Sequence, residues 1–398
     1  MRTRKNIKMI NFSKRRSQSK IRSQSKRRSQ SKRRSQSKRQ SHMKQNITYS
    51  RQYAPKVGED AGKAFAEGGF GCVFRPQLAC KNIPYKKNDG VSKLMKKANQ
   101  QSELKEFARI RSIVKEIKNY NDYFLIDGVY GCTPAPLSPR DKVDFDIKCK
   151  NLAKKGFRKD NINSKLNNLG LINLPYGGVS VDKHLESWQT MKNSRKKTKE
   201  FSDTNKALIL LLTKGIIPLN KKSYLHMDVK GPNILYNVDK TGRTRCKLID
   251  WGLAVDYKKT SIKKTPHIIY NGPLQYNTPF SVILFSDDVN EVIKEFMNNK
   301  GFVASDIKSI DRASFMHSLA MHLLQESLES IGRGHFSYII SQLKIIFEKG
   351  SDFGEYIIVS YLATILDKYV NDAVHFEEAR YFHEVFSKNV DVWGLIMA

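Results

Sequence analysis

Two short motifs, separated by a fixed distance, constrain this 398-residue chain more than any other feature. The first spans His226 to Asn233 and reads H-x-D-x-K-x-x-N, and the second, D-x-G, begins at Asp250. Two apolar runs lie between them, on either side of a turn-forming Asp-Lys-Thr-Gly sequence at residues 239–242. This pattern predicts a two-stranded hairpin that brings the two motifs together at one site.

The four polar residues of these motifs form a set suited to phosphoryl transfer. The Asp228 carboxylate can accept the proton of an attacking hydroxyl group, and Lys230 can place a positive charge beside a γ-phosphate. Asn233 and Asp250 offer the oxygen ligands that Mg²⁺ or Mn²⁺ prefers, and such a metal neutralises a bound triphosphate. Because phosphoryl transfer needs positioning and charge neutralisation more than covalent catalysis, this set is nearly sufficient. The motifs therefore predict an ATP-dependent phosphotransferase.

A glycine-rich segment upstream predicts the phosphate-binding part of the site. Glycine lets backbone N–H groups approach phosphate oxygens, because it carries no β-carbon. The segment is not a Walker loop, since no Gly-Lys-Ser/Thr sequence follows it. The residues predicted to contact the nucleotide are Ala66, Glu67, Gly68, Gly69, Phe70, Gly71 and Val73.

Together, these motifs resemble those of eukaryotic-type Ser/Thr protein kinases. The sequences Glu-Gly-Gly-Phe-Gly-Cys-Val-Phe-Arg-Pro, Val-Ser-Lys-Leu-Met, Pro-Tyr-Gly-Gly and Asp-Val-Trp-Gly-Leu-Ile are similar to protein kinases of giant (nucleocytoplasmic large) DNA viruses. The resemblance implies a bilobal α+β fold, with a small β-rich N-lobe containing one helix and a mainly helical C-lobe. It also implies transfer of the γ-phosphate of ATP, with Mg²⁺ or Mn²⁺, to hydroxyl groups of protein substrates. Lys230 in the first motif favours Ser or Thr as the acceptor.

The resemblance also implies an ion pair between a strand lysine and a helix glutamate. Lys93 follows an apolar β-former in Val-Ser-Lys-Leu-Met, and residues 102–118 have apolar side chains at helical spacing. Glu106 is the preferred partner, because apolar residues follow it at the +1 and +4 positions, as is usual for the kinase glutamate. Glu103, one turn earlier, is the competing candidate, since boundaries read from a sequence slip by several residues.

The resemblance sets the expected domain boundaries. The catalytic core spans residues 59–280, with the N-lobe at about 62–175 and the C-lobe from about 179. Residues 281–390 form a helical insertion, because the Asp-Val-Trp-Gly sequence that resembles the start of the central C-lobe helix comes only at 391–398. Either the insertion replaces the last helices of a kinase or the reading frame is truncated, and both alternatives stay open.

Residues 1–58 differ sharply in composition from the rest of the chain. They contain 20 Lys and Arg residues and no Asp or Glu, within a formal net charge of +33 for the whole sequence. From Ser13 to Gln40 they repeat Ser-Lys-Arg-Arg-Ser-Gln with a period of six. Such a segment buries too little apolar surface to offset the entropy of ordering. We expect a disordered basic arm that binds nucleic acid or another polyanion non-specifically, the alternative being a solvated tail without a specific role.

Cysteine spacing and hydropathy bear on the cellular compartment. Five scattered cysteines without a C-x-x-C pair argue against a disulfide scaffold or a zinc site and favour a reducing compartment. No apolar run reaches the length of a membrane-spanning helix, and the N-terminus has no signal-peptide core. The sequence predicts a soluble intracellular protein of the host cytoplasm or nucleus, or of the virion. The alternative function is a kinase-fold binding or virion protein with weak or no catalysis, whose arm binds nucleic acid.

Overall fold

The computed structural model describes residues 63–68, 71–83, 90–192, 194–308, 311–348 and 351–398. The basic arm predicted at residues 1–58 lies outside these described residues, so its disorder stays a prediction. Within them the chain combines small antiparallel sheets with many helices, which confirms the predicted α+β class. No helix in these ranges has both the length and the apolar composition needed to cross a membrane.

A five-stranded antiparallel sheet forms the first part of the described chain. Its strands are Lys63–Gly68 (β1), Gly71–Arg75 (β2), Val91–Lys96 (β3), Tyr130–Cys132 (β4) and Leu169–Leu174 (β5). The spatial order is β1-β2-β3-β5-β4, which places β3 at the centre. Helix Lys97–Val114 (α1) follows β3 directly and packs on β5, where Gln100 donates hydrogen bonds to the carbonyls of Leu171 (2.7 Å) and Cys132 (2.9 Å). Strand β3 forms backbone hydrogen bonds with β2 on one edge and with β5 on the other.

Two disulfide bonds stabilise this part of the chain, one between β2 and the segment that joins β4 to β5, and one between the β2–β3 connection and the end of β4. The segment that joins β4 to β5 contains the short helices Phe145–Lys148 (α2) and Lys150–Lys154 (α3). The bonds join Cys72 to Cys149 and Cys80 to Cys132, with Cα–Cα distances of 5.2 and 5.8 Å. The prediction of a chain without disulfides is therefore wrong. The paired cysteines are 77 and 52 residues apart in the sequence, so only tertiary packing brings them together.

Two smaller sheets and three helices frame the two motifs at residues 226–252. The strands are Val179–Ser180 (β6), Tyr224–Leu225 (β7), Ile234–Val238 (β8), Thr244–Leu248 (β9) and Val255–Asp256 (β10), paired in the orders β6-β8-β9 and β10-β7. The helices are Val181–Gln189 (α4), Ser194–Leu210 (α5) and Ile217–Asn220 (α6), and a π-helical turn at Leu211–Ile216 joins the last two. Strands β8 and β9 form an antiparallel hairpin, which confirms the hairpin predicted between the two motifs.

Helices occupy most of residues 281–390, as the sequence predicts. They are Val289–Lys300 (α7), Arg312–Ser330 (α8), Phe336–Phe347 (α9), Ser351–Tyr369 (α10) and Glu378–Tyr381 (α11), and a π-helical turn at Phe382–Phe386 leads into Ser387–Ile396 (α12). The last helix begins at Ser387 rather than at Asp391. The apolar run at residues 280–285 is buried beneath these helices, and the Phe285 ring lies 4.7 Å from that of Phe386. The apolar core of this segment also includes Leu225 and Val255, which lie just outside the two motifs.

Candidate active site

The loop between β7 and β8 positions the predicted catalytic aspartate. The Asp228 side chain is only 10% exposed, and Lys230 Nζ lies 2.8 Å from its Oδ1 atom. Asn233 Nδ2 donates to Asp228 Oδ2 and to the Asp228 carbonyl, both at 2.9 Å. Three of the four predicted catalytic and metal residues are therefore in direct contact. A nearly buried carboxylate with two such partners is held in one orientation, which a general base requires.

A third partner of Asp228 comes from a distant part of the chain. Asn277 is 2% exposed, and its Nδ2 atom donates to Asp228 Oδ1 at 3.0 Å. The sequence analysis did not identify Asn277. Its position next to Thr278-Pro279 gives no indication of a side-chain contact 49 residues away. Asn277 thus adds a hydrogen bond to the carboxylate from outside its own loop.

The hairpin places Asp250 next to Asn233. The Ile249 N–H donates to the Asn233 carbonyl at 2.9 Å, and Asp250 follows with an exposed carboxylate and a φ of 64°. This left-handed backbone conformation is uncommon for a residue other than glycine. The neighbouring Trp251 is buried, with its ring 5.6 Å from Phe124 and 4.8 Å from His226. The buried ring anchors the position of the exposed carboxylate.

A buried aspartate beneath the loop holds its backbone. The Asp391 carboxylate, on α12, accepts hydrogen bonds from the N–H groups of His226 and Met227, both at 2.8 Å. It also accepts one from Asn220 Nδ2 at 2.7 Å. Burial lowers the pKa of the His226 imidazole, although the carboxylates of Asp391, Asp228 and Asp250 act in the opposite direction. The last helix therefore supports the predicted catalytic loop at residues 226–233, and the Asp-Val-Trp-Gly sequence lies at the candidate site although helices precede it.

The predicted glycine-rich loop lies at the β1–β2 hairpin. Glu67 pairs with Cys72 and Gly68 with Gly71, and the predicted contact residues Gly69 and Phe70 lie outside the described residues. Ala66 pairs with Val73, and Val73 in turn pairs with Lys93 on the central strand. The hairpin thus lies beside the predicted lysine, and the nucleotide contacts of its residues stay predictions.

The lysine pairs with a different glutamate from the one preferred in the sequence analysis. Lys93 Nζ lies 2.8 Å from both carboxylate oxygens of Glu103. Glu106 instead binds Arg109 at 2.6 Å and accepts a 2.6 Å hydrogen bond from the Tyr224 hydroxyl. The preference for Glu106 is therefore wrong as regards this ion pair. Both glutamates have apolar residues at +1 and +4, so the pattern could not distinguish them.

The donor atoms around Asn233 and Asp250 fit a magnesium ion bound together with phosphate groups. The amide nitrogen of Asn233 is used by Asp228, which leaves its oxygen as the atom available to a metal. With the exposed carboxylate of Asp250, it supplies two hard oxygen ligands, as Mg²⁺ prefers when substrate phosphates and water complete its octahedral shell. Among the described residues there is no cluster of three His, Cys, Asp or Glu side chains that could hold a metal without a substrate.

Comparison with known proteins gives a short similarity. No protein-family model matches this chain. The chain is 32% identical over 60 residues to nucleosomal histone kinase 1 of Drosophila melanogaster. The aligned part covers 15% of this chain and 10% of that protein. This partial match indicates a relationship to a protein kinase.

Proposed function

We propose that this protein is an ATP-dependent serine/threonine protein kinase. The observation that carries the proposal is the arrangement around Asp228, whose carboxylate is held by Lys230, Asn233 and Asn277. Asp250 lies next to the same loop, and an ion-paired lysine lies on the strand beside the glycine-rich hairpin. The short similarity to a histone kinase supports the same conclusion.

In this proposal each side chain has one task. Asp228 accepts the proton of the substrate hydroxyl as the oxygen attacks the γ-phosphorus, and ADP leaves with the bond to the β-phosphate oxygen broken. Lys230 stabilises the charge on the transferred group, and Lys93, oriented by Glu103, binds the other phosphates. Asn233 and Asp250 hold Mg²⁺ or Mn²⁺, and the metal supplies charge neutralisation for the triphosphate.

The proposal is tested by removing single carboxylates. Asp228→Asn and Asp250→Ala should each lower the transfer of labelled phosphate from ATP to a serine-containing protein by at least about a hundredfold. Asp160→Asn is the matched control, since Asp160 is an exposed aspartate in another part of the fold. Thermal melting of all three variants shows whether they fold. Full activity in folded Asp228→Asn and Asp250→Ala variants would contradict the proposal.

A second candidate function rests on the composition of residues 1–58. Their 20 cationic residues, without any acidic one, suit a segment that binds a polyanion through counter-ion release. In this alternative the folded part binds partners with weak or no catalysis, and the arm carries the nucleic-acid contact. Retention on heparin combined with no phosphate transfer would favour this function over the first.

A further inference from the structure

The segment that joins β4 to β5, residues 133–168, is packed onto the first strands of the large sheet. Its helix α2 lies against β1, and α3 lies against β2. Leu152 and Phe157 are buried in the same apolar cluster as Phe74 of β2, and Cys149 forms a disulfide bond with Cys72. Apolar packing and one covalent bond therefore hold this segment on the fold.

The outer side of the same segment is cationic. Residues 148–159 contain six Lys and Arg residues and no Asp or Glu. All six are exposed, whereas the residues at positions 149, 152 and 157 between them are buried. These six residues, here called the cationic face, are Lys148, Lys150, Lys154, Lys155, Arg158 and Lys159.

A tight turn after α3 holds the backbone of the cationic face. Gly156 has a φ of 83°, a left-handed conformation that favours glycine. The Gly156 N–H donates to the Ala153 carbonyl and the Phe157 N–H to the Leu152 carbonyl, both at 3.0 Å, which closes the end of the helix. Lys165 Nζ donates to the Gly156 carbonyl at 2.9 Å and adds a further cation at this turn. The cations are thus displayed on a fixed backbone.

Acidic side chains neutralise little of this charge. Among the described residues, the one ion pair of the cationic face joins Lys148 Nζ to Asp144 Oδ2 at 3.7 Å. The lysine-rich start of α5 differs, because Lys196 and Lys199 there pair with acidic residues one turn later, at 3.7 and 2.6 Å. Cations that are fixed close together without counter-charges attract a polyanion, since binding it relieves their mutual repulsion.

The composition of the cationic face favours the phosphate backbone of a nucleic-acid duplex over other polyanions. Its stretch contains no carboxylate that could answer the mixed charges of a protein surface. Its large apolar residues, Leu152 and Phe157, are buried, so neither can enter a lipid bilayer or stack on an unpaired base. A duplex carries one negative charge about every 1.7 Å along its axis, so it can contact several of these cations at once.

We propose that the cationic face binds the phosphate backbone of double-stranded nucleic acid without reading its sequence. This surface belongs to the folded part of the chain and is additional to the binding predicted for residues 1–58. The proposal does not depend on the kinase function, because none of the candidate catalytic residues lies in residues 133–168.

Chemical acetylation of the full-length protein locates the bound surface. Lysines that contact DNA react more slowly with acetic anhydride, and mass spectrometry of the digested protein measures each lysine separately. In the presence of a random-sequence DNA duplex, the lysines of the cationic face should react at least about threefold more slowly, because phosphates cover them. Lys240, an exposed lysine in the β8–β9 turn, should react at an unchanged rate.

Two full-length variants with the same loss of charge test the energetic contribution. The binding constant for a labelled duplex is measured by fluorescence anisotropy over a range of salt concentrations. Its log–log salt dependence should become less steep by about three units in the first variant and by less than about one unit in the second. Thermal melting should match the parent protein, because the replaced side chains are exposed. The first variant carries Lys150→Gln, Lys154→Gln, Lys155→Gln and Lys159→Gln, and the second carries Lys118→Gln, Lys240→Gln, Lys344→Gln and Lys388→Gln.

The same footprint with other polyanions tests the choice of partner. Ile147, directly before the cationic face, is 67% exposed, so vesicles that contain phosphatidylserine are compared with the duplex, as are polyglutamate and single-stranded DNA. Stronger protection by any of these three than by the duplex would overturn the proposal. Full reactivity of the cationic face in the presence of the duplex, or an equal change of salt dependence in the two variants, would also overturn it. Protection mainly by the duplex, with the larger change in the first variant, would support it.

Discussion

The two glutamates of α1 allow a direct test of how Lys93 is positioned. Glu103→Gln removes the charge that faces Lys93 Nζ at 2.8 Å from both oxygens. Glu106→Gln removes an equal charge one turn away, where Arg109 and the Tyr224 hydroxyl are the partners. The two substitutions are chemically identical, so each serves as the control for the other. We expect activity to fall in the first variant and to change little in the second.

The expected loss of activity in each variant follows from how far the side chains of the ion pair are exposed to solvent. The Lys93 and Glu103 side chains are 17% and 25% exposed, so solvent screens their interaction only in part. A hydrogen-bonded charge pair in such surroundings contributes about 1.5 kcal/mol, which corresponds to about a tenfold loss in kcat/KM for ATP. The Glu106–Arg109 pair, at 28% and 41% exposure, is a surface pair worth about 0.5 kcal/mol, or about twofold. Gln at 106 also keeps an oxygen that can accept the Tyr224 hydrogen bond.

The assay is steady-state phosphate transfer at varied ATP concentration, with thermal melting to show that both variants fold. A double-mutant cycle adds Lys93→Met, which removes the partner. If Glu103 acts through Lys93, Glu103→Gln should cause little further loss in the Lys93→Met background. A larger loss in Glu106→Gln than in Glu103→Gln, or full additivity of Lys93→Met and Glu103→Gln, would refute the reasoning.

Three further outcomes are expected. Cys72→Ser should lower the free energy of unfolding by about 2–4 kcal/mol, because the lost disulfide closes a loop of 77 residues. A reductant should destabilise the Cys246→Ala control as much as it destabilises the parent protein. It should destabilise Cys72→Ser less, because that variant has already lost one disulfide bond. Deletion of residues 1–58 should leave kcat on a small peptide unchanged and weaken retention on heparin in a salt-dependent way, and equal retention would count against a binding role for the arm. Asp391→Ala leaves three donors, two of them buried, without their acceptor, so urea denaturation should show a loss of at least about 3 kcal/mol in the free energy of unfolding, and a loss below about 1 kcal/mol would contradict its supporting role.

Local patterns in the sequence determined the elements around the site. Apolar runs flanking the turn at residues 239–242 specify the hairpin, since strand and turn propensities act over a few residues. The same applies to the helices of residues 281–390, where apolar residues recur at helical spacing. The close contact of Asp228, Lys230 and Asn233 follows because all three lie in one loop.

Tertiary packing decided the contacts between distant residues. Glu103 and Glu106 lie on the same helical face, about 4.5 Å apart along the axis, so only the seating of α1 on the sheet selects the partner of Lys93. Asn277 and Asp391 contact the predicted catalytic loop, and four cysteines form two disulfide bonds. These contacts likewise join parts of the chain that no local pattern relates. Sequence periodicity specifies which face of an element is buried, and the packed fold alone specifies which residues that face meets.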